Sequence, residues 1–174
     1  MNNKTKQLVI SALMLAMGVV LPQAFHAIPN AGSIFLPMHI PVLVAGFAVG
    51  PVYGAIVGAL TPVLSHLIFH MPPAAILGSM VCELCMYGFM TGLLSRIVKT
   101  ENKIVKIFAV LIGAMLAGRV TYGILNALIF RAGKYSLQAW ISAAFTTALP
   151  GIIIQLIVVP AVVFALNKAN QIEL

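Results

Sequence analysis

Charged residues are scarce in this chain of 174 residues: they make up 7% of it, and only three are acidic. Soluble domains carry roughly 25% charged residues, so a water-facing globular surface is excluded. Hydrophobic residues make up 61% of the sequence. The composition predicts an integral membrane protein. Because a helix needs about 20 apolar residues to cross the hydrocarbon core, roughly six crossings would use nearly the whole chain, as a single domain over residues 1–174.

The sequence also lacks motifs for energy conversion and catalysis. It contains no phosphate-binding P-loop, no dinucleotide fingerprint and no His-Glu-x-x-His motif. The two cysteines, Cys82 and Cys85, stand in an apolar segment without the further ligands that zinc requires, so we interpret them as small packing residues. We expect no cofactor and no metal in this chain, and energy must come from a gradient or a partner.

The basic residues predict the topology. The formal charge of +7 would suit nucleic acid, but basic residues in the loops of a membrane protein instead determine its orientation and contact lipid headgroups. Seven of them fall at the N-terminus, in one loop and near the C-terminus: Lys4, Lys6, Arg96, Lys99, Lys103, Lys106 and Lys168. Arg131 and Lys134 occupy another loop. If the seven share the cytoplasmic side, both termini are cytoplasmic and the number of crossings is even.

The apolar segments predict an all-α fold of six transmembrane helices. They cover residues 8–28, 74–95, 107–130 and 140–166, with two further spans between Ile34 and Leu67 that separate at Gly50-Pro51. Lys4 and Lys6 ahead of the first span also resemble a secretory signal, but a suitable cleavage site is missing and more spans follow. A glycine at every fourth position from Gly46 to Gly58 predicts close helix packing.

Two ionisable residues, Glu83 and Arg119, lie inside apolar spans. Placing such a group in the membrane costs at least ~2.5 kcal/mol of insertion free energy, so their presence needs an explanation. A rise of 1.5 Å per residue puts both at similar depth, so they are able to pair. Two interpretations stay open: a structural ion pair, or a cavity in which Arg119 holds a carboxylate or phosphate. Polar neighbours at comparable depth favour the cavity: Tyr87, Tyr122, Asn126, Thr146 and Thr147.

Three histidines, His39, His66 and His70, are predicted near the outer ends of the second and third spans. They lack carboxylate support at metal-site spacing, so a pocket mouth is favoured over a metal site. Trp140 suits an interface anchor or a ligand contact. An intramembrane enzyme using Glu83 and the histidines, or a structural membrane subunit, are the alternatives from other classes.

The stretch Leu36–Gly46 (LPMHIPVLVAG), with Met71-Pro72-Pro73, Glu83-Leu84 and Tyr87-Gly88, resembles the S-components of energy-coupling factor (ECF) vitamin transporters, and most closely their pantothenate-type branch. The resemblance covers nearly all of the chain. It implies a multi-pass protein of the bacterial cell membrane that is not an enzyme. This subunit would bind a vitamin outside and topple in the membrane to release it inside.

The resemblance also implies partners. S-components dock on a transmembrane scaffold subunit through a small-residue stripe, which Ala12 and Ala16 match, and two ATPase subunits hydrolyse the ATP. Residues 26–33, after the first span, would cap the site. The predicted substrate-binding residues are His39, Glu83, Tyr87, Arg119, Tyr122, Asn126, Trp140 and Thr146. Arg119 favours an anionic ligand, with pantothenate the best match; riboflavin, a pyridoxine-type vitamin, folate, a cobalamin and a queuosine precursor stay open.

Overall fold

The computed structural model describes residues 3–25, 27–132 and 135–172, which form helices joined by short turns. The α-helices in chain order are α1 (Asn3–Val20), α2 (Ala31–Phe35), α3 (His39–Val49), α4 (Pro51–Phe69), α5 (Ala74–Ile97), α6 (Lys103–Leu125), α7 (Leu137–Ile141) and α8 (Leu149–Lys168). A 3-10 turn, Leu21–Phe25, follows α1, and π-helical segments cover Asn126–Phe130 and Ser142–Thr147. His26 and Lys134, which the sequence assigned to outer loops, lie outside the described residues.

Six helical stretches are long and apolar enough to cross a membrane, which confirms the predicted six-helix fold. They cover Lys4–Phe25, Ala31–Val49, Pro51–Phe69, Ala74–Ile97, Lys103–Phe130 and Leu149–Lys168. The break predicted at Gly50-Pro51 is confirmed. Gly50 has φ 84°, a conformation that glycine adopts without steric cost, and Pro51 starts α4 where its missing N–H is not needed.

The last span differs from its prediction as one helix over residues 140–166. The structure divides this stretch into α7, the π-helical segment Ser142–Thr147, and α8 from Leu149. Ala148 between them has φ −82° and ψ −3°, and Pro150 stands in the first turn of α8. Proline lacks the N–H that a continuous helix would need, so the chain restarts there. Thr146 therefore lies ahead of α8 rather than within it.

Glycines bring three helices into backbone contact. We call Gly46 on α3, Gly54 and Gly58 on α4, and Gly88 on α5 the glycine seam. A Cβ atom at Gly46 would lie 2.7 Å from the Gly88 carbonyl oxygen, and one at Gly54 would lie 2.6 Å from it. One at Gly58 would collide with the carbonyl of Leu84. The predicted close packing is confirmed at these positions, since any larger residue would push the helices apart.

The two ends of the bundle differ in charge. The N-termini of α1 and α6 and the C-termini of α5 and α8 meet at one end, with Lys4, Lys103, Arg96 and Lys168; we call this the basic end. The segment after α1 and the junction of α4 with α5 lie at the opposite end. Large apolar side chains such as Leu13, Ile112 and Ile157 are exposed along the helices between the ends, as lipid contact requires.

Candidate binding cavity

A cavity of about 640 Å³ opens at the end opposite the basic end. Its volume lies within the range of roughly 300–1,000 Å³ typical of small-molecule sites. Three regions form its upper wall: the turn after α1, the α2 segment with the residues before α3, and the loop Met71–Pro73. Helices α5 and α6 and the π-helical segment Ser142–Thr147 provide the lower wall. Residues 28–33, from the segment predicted to cap the site, thus line the cavity. His26, the first residue of that segment, lies outside the described residues.

The floor of the cavity holds an ion pair. Nη1 of Arg119, on α6, lies 3.2 Å from Oε1 of Glu83, on α5, and both side chains line the cavity while being more than nine-tenths buried. Removing one charge from such a pair leaves the other uncompensated, which is strongly destabilising. Glu83 and Arg119 thus pair with each other, as the first interpretation expects, and both face a cavity, as the second requires; anion binding by Arg119 stays a prediction.

Some hydrogen-bond donors of Arg119 have no partner. Among the described residues, its Nε and Nη2 have no hydrogen-bond partner, and neither do the two ring nitrogens of His39. His39 also lines the cavity, and its Nε2 lies 3.9 Å from Oε1 of Glu83. A guanidinium presents five N–H donors in a planar fork, of which Glu83 engages only part. The floor is thus able to donate hydrogen bonds to an acceptor-rich or anionic group.

Two predicted residues lie behind the cavity. Tyr87 is fully buried, with its ring 5.2 Å from that of His39, and Gly118 leaves room for it. Asn126 is also fully buried and donates from Nδ2 to the carbonyl oxygen of Tyr122, 2.8 Å away. Tyr122 itself lines the cavity. Tyr87 and Asn126 are therefore placed to support cavity residues rather than to contact a ligand.

Two other predicted residues lie off the cavity. Trp140 faces α6 from the side, beside a smaller hollow of about 290 Å³, and its Nε1 donates to the carbonyl oxygen of Arg119 at 3.0 Å. Thr146 is exposed and does not line the cavity, whereas its neighbour Thr147 does. The π-helical turn before α8 sets which threonine faces inward.

The three histidines do not converge. His66 and His70 lie edge to face with ring centres 6.4 Å apart, and Nδ1 of His66 contacts the carbonyl oxygen of Pro72 at 2.7 Å, while His39 lies beside Glu83. Within the described ranges, no group of three metal-ligating side chains is found. His66 instead connects the end of α4 by this contact to the loop Met71–Pro73, which forms part of the cavity wall.

Sequence reasoning missed several polar residues that line the cavity: Gln23, Asn30, Ser33 and, on α4, Ser65. Small polar residues are common in loops and helices, so their identity carries no signal. For Gln23, Asn30 and Ser33, the one available indication was their position in or beside the uncharged, turn-rich segment after the first span. Ala12 and Ala16, predicted for docking, are exposed on α1 and do not line this cavity.

Comparison with known families agrees with this geometry. Residues 6–163 match the family model described as ECF transporter, substrate-specific component. Neither a curated protein nor a solved structure matches the chain. The family match covers the first crossing from residue 6, the next four crossings and most of α8, and therefore includes every residue of the cavity.

Proposed function

Since the chain belongs to the family of ECF transporter substrate-specific components, we propose that its cavity binds a small anionic vitamin, with pantothenate the best candidate. The family consists of transporter subunits, not of enzymes, and it implies association with ECF scaffold and ATPase modules. The protein is a multi-pass membrane protein. The bacterial cell membrane is its proposed location, and residues 1–174 its single binding domain.

The observation that carries the proposal is the pair of unpartnered donors on Arg119 at the floor of the cavity. Nε and Nη2 have no partner in the described chain, and Arg119 is 6% exposed. Buried donors without partners are costly, so a ligand that accepts from them gains a charge-assisted contact. A carboxylate matches the planar fork of the guanidinium.

The rest of the lining favours pantothenate within that class. Glu83 and His39 flank Arg119 and suit hydroxyl and amide groups, which pantothenate carries beside its carboxylate. Met38, Met80 and Ile76 provide an apolar wall for its methyl groups. A cobalamin, with its corrin ring and nucleotide loop, is a poorer match to a cavity of about 640 Å³ than pantothenate is. Riboflavin, pyridoxine-type vitamins, folate and a queuosine precursor are the compounds to test beside it.

The distribution of basic residues supports the proposed direction of transport. The cavity opens at the end opposite Lys4, Arg96, Lys103 and Lys168, and cytoplasmic loops are enriched in such residues. The proposed sequence of events is capture from outside, docking of α1 on the scaffold through Ala12 and Ala16, and toppling driven by the two ATPase subunits. The exposure of both alanines supports this docking face.

Mass spectrometry of small molecules extracted from the purified protein tests the proposal. We expect pantothenate in near-equal molar amount, and saturable binding when pantothenate is titrated into stripped protein. Recovery of another vitamin would refute the substrate but leave the substrate-binding role. No bound molecule and no binding of any vitamin in the panel would refute the function and favour a structural subunit.

A further inference from the structure

Trp140 makes an unusual link between two walls of the cavity. Its indole Nε1, on α7, donates to the backbone carbonyl oxygen of Arg119, on α6, at 3.0 Å. In the described part of the chain only one other side-chain hydrogen bond joins distant helices, from Lys103 to Asn167 near the basic end. An indole N–H must find a partner where water is scarce, and this one bonds to a residue of the cavity floor.

Gly123 makes this approach possible. It lies four residues after Arg119, hence on the same face of α6. A Cβ atom at Gly123 would lie 2.5 Å from the indole Nε1 and 2.7 Å from its Cδ1. Any residue other than glycine at position 123 would therefore displace the indole ring from α6. The sequence thus provides both halves of the contact: a donor on α7 and a gap on α6.

The segment that Trp140 holds has few other attachments. Between Ser136 and Thr147, only Ala144 is buried, while Trp140 and its edge-to-face partner Phe145 are half-buried or exposed. Yet Ala143 and Thr147 line the same cavity as Arg119 and Tyr122. A segment with little buried surface moves easily unless a specific contact fixes it.

We propose that Trp140 is a positioning residue: its hydrogen bond to the Arg119 carbonyl, accommodated by Gly123, fixes the Ala143–Thr147 wall relative to the α6 wall of the cavity. Trp140 does not line the cavity, so it acts on the ligand only through these walls. The part of this inference that is tested by ligand affinity rests on the proposed binding function. It assigns Trp140 a role different from a direct ligand contact.

The first test needs no ligand, because Trp140 is the one tryptophan of the chain and its fluorescence reports this site alone. Gly123→Ala should shift the emission maximum of the purified protein, since the indole loses its carbonyl partner. Gly113→Ala is the matched control: it lies on α6, and its added Cβ would meet only the flexible end of Leu94, at 2.9 Å. Unchanged emission in Gly123→Ala would overturn the proposal.

The second test separates positioning from general stability. Trp140→Phe keeps a ring and removes the donor, so pantothenate should bind about two- to tenfold more weakly, the equivalent of one hydrogen bond, with a melting temperature close to wild type. In a double-mutant cycle, Thr147→Ala should cost less affinity in Trp140→Phe than in the wild type, because that wall is already misplaced. Wild-type affinity in Trp140→Phe, or additive losses, would overturn the proposal. If wild-type protein fails to bind pantothenate, the substrate proposal fails, while the emission comparison still tests the contact between Trp140 and α6 on which the positioning role rests.

Discussion

Arg119 contacts Glu83 through Nη1, and its Nε and Nη2, at the floor of the cavity, have no hydrogen-bond partner among the described residues. Arg119→Ala should therefore weaken pantothenate binding by on the order of 2 kcal/mol, about thirtyfold, because a charge-assisted contact in a partly dry pocket is lost. Arg119→Lys should restore only part of the affinity, since it keeps the charge but not the planar fork. Isothermal titration of the stripped protein measures both.

The matched control is Arg131→Ala. Arg131 lies at the same end of the bundle, but it is exposed, stacks on Tyr135 with 5.8 Å to the ring centre, and does not line the cavity. Its removal should leave the affinity for pantothenate within twofold of wild type, because charge contacts at exposed positions contribute little free energy. Equal losses in the two alanine variants would indicate a general attraction of anions rather than a specific contact of Arg119.

Glu83 tests whether the ion pair is also structural. Glu83→Leu leaves Arg119 buried without its counter-charge, so the melting temperature should fall markedly; a broken buried pair typically costs about 3–5 kcal/mol. The double variant Glu83→Leu/Arg119→Leu should regain much of that stability without regaining affinity. Normal affinity in the double variant would remove Arg119 from the binding site.

The sequence identified the charged centre of the cavity because charge is expensive in a membrane. Glu83, Arg119 and His39 stand out among apolar neighbours, and all three line the cavity. Tyr87 on α5 follows Glu83 by four residues, and Asn126, the first residue of the π-helical segment after α6, follows Tyr122 by four residues. Each therefore lies on the same side of its helix as a cavity residue, yet is packed in the interior one turn away, which spacing along the sequence does not reveal. Ser65 and Ser33 carried no such signal, since serine is unremarkable in both helices and loops.

At the level of helices, α1 stands out by its unoccupied face. Ala12 and Ala16 are exposed together with Leu13 and Met17, whereas Met14 on the other face is buried. Ala12→Trp or Ala16→Trp should leave pantothenate affinity unchanged and abolish uptake into vesicles that contain the whole transporter, because a bulky side chain prevents close helix contact. Ala161→Trp, an exposed alanine on α8, is the control and should transport normally.

Loss of binding together with uptake in the Ala12→Trp variant would contradict the separation of docking face and cavity. Uptake at the wild-type rate would show that the scaffold docks elsewhere. Co-purification of the variant with the scaffold subunit distinguishes weak docking from a later defect in transport.

Hydropathy located all six spans but did not predict the breaks within the second and the last. The second is divided between α2 and α3, where Leu36 has φ 51°. The apolar stretch from Trp140 to Leu166 predicted one helix. That prediction failed because hydropathy indicates which residues lie in the membrane and not whether the helix is continuous. The conformation of Ala148 and the position of Pro150 divide it. Conversely, the break at Gly50-Pro51 was predictable, since both residues favour a turn at that point.

For the whole molecule, the charge difference between the two ends predicts orientation. In a variant with Cys82 and Cys85 replaced by serine, a cysteine at position 33 should react with an impermeant thiol reagent in intact cells, and one at position 103 should react only after the membrane is opened. Ser33 lines the cavity and Lys103 lies at the basic end. Labelling at position 103 in intact cells would reverse the assigned orientation.

The glycine seam divides the bundle into a rigid frame and a more mobile part. Helices α3, α4 and α5 touch backbone to backbone at Gly46, Gly54, Gly58 and Gly88, whereas residues 136–147 have little buried surface. Amide protons near the seam should therefore exchange with deuterium slowest in the protein, and those of the segment around Trp140 among the fastest. Added pantothenate should slow exchange in that segment and leave the seam unchanged, so ligand binding would order one wall of the cavity against a frame that is already formed.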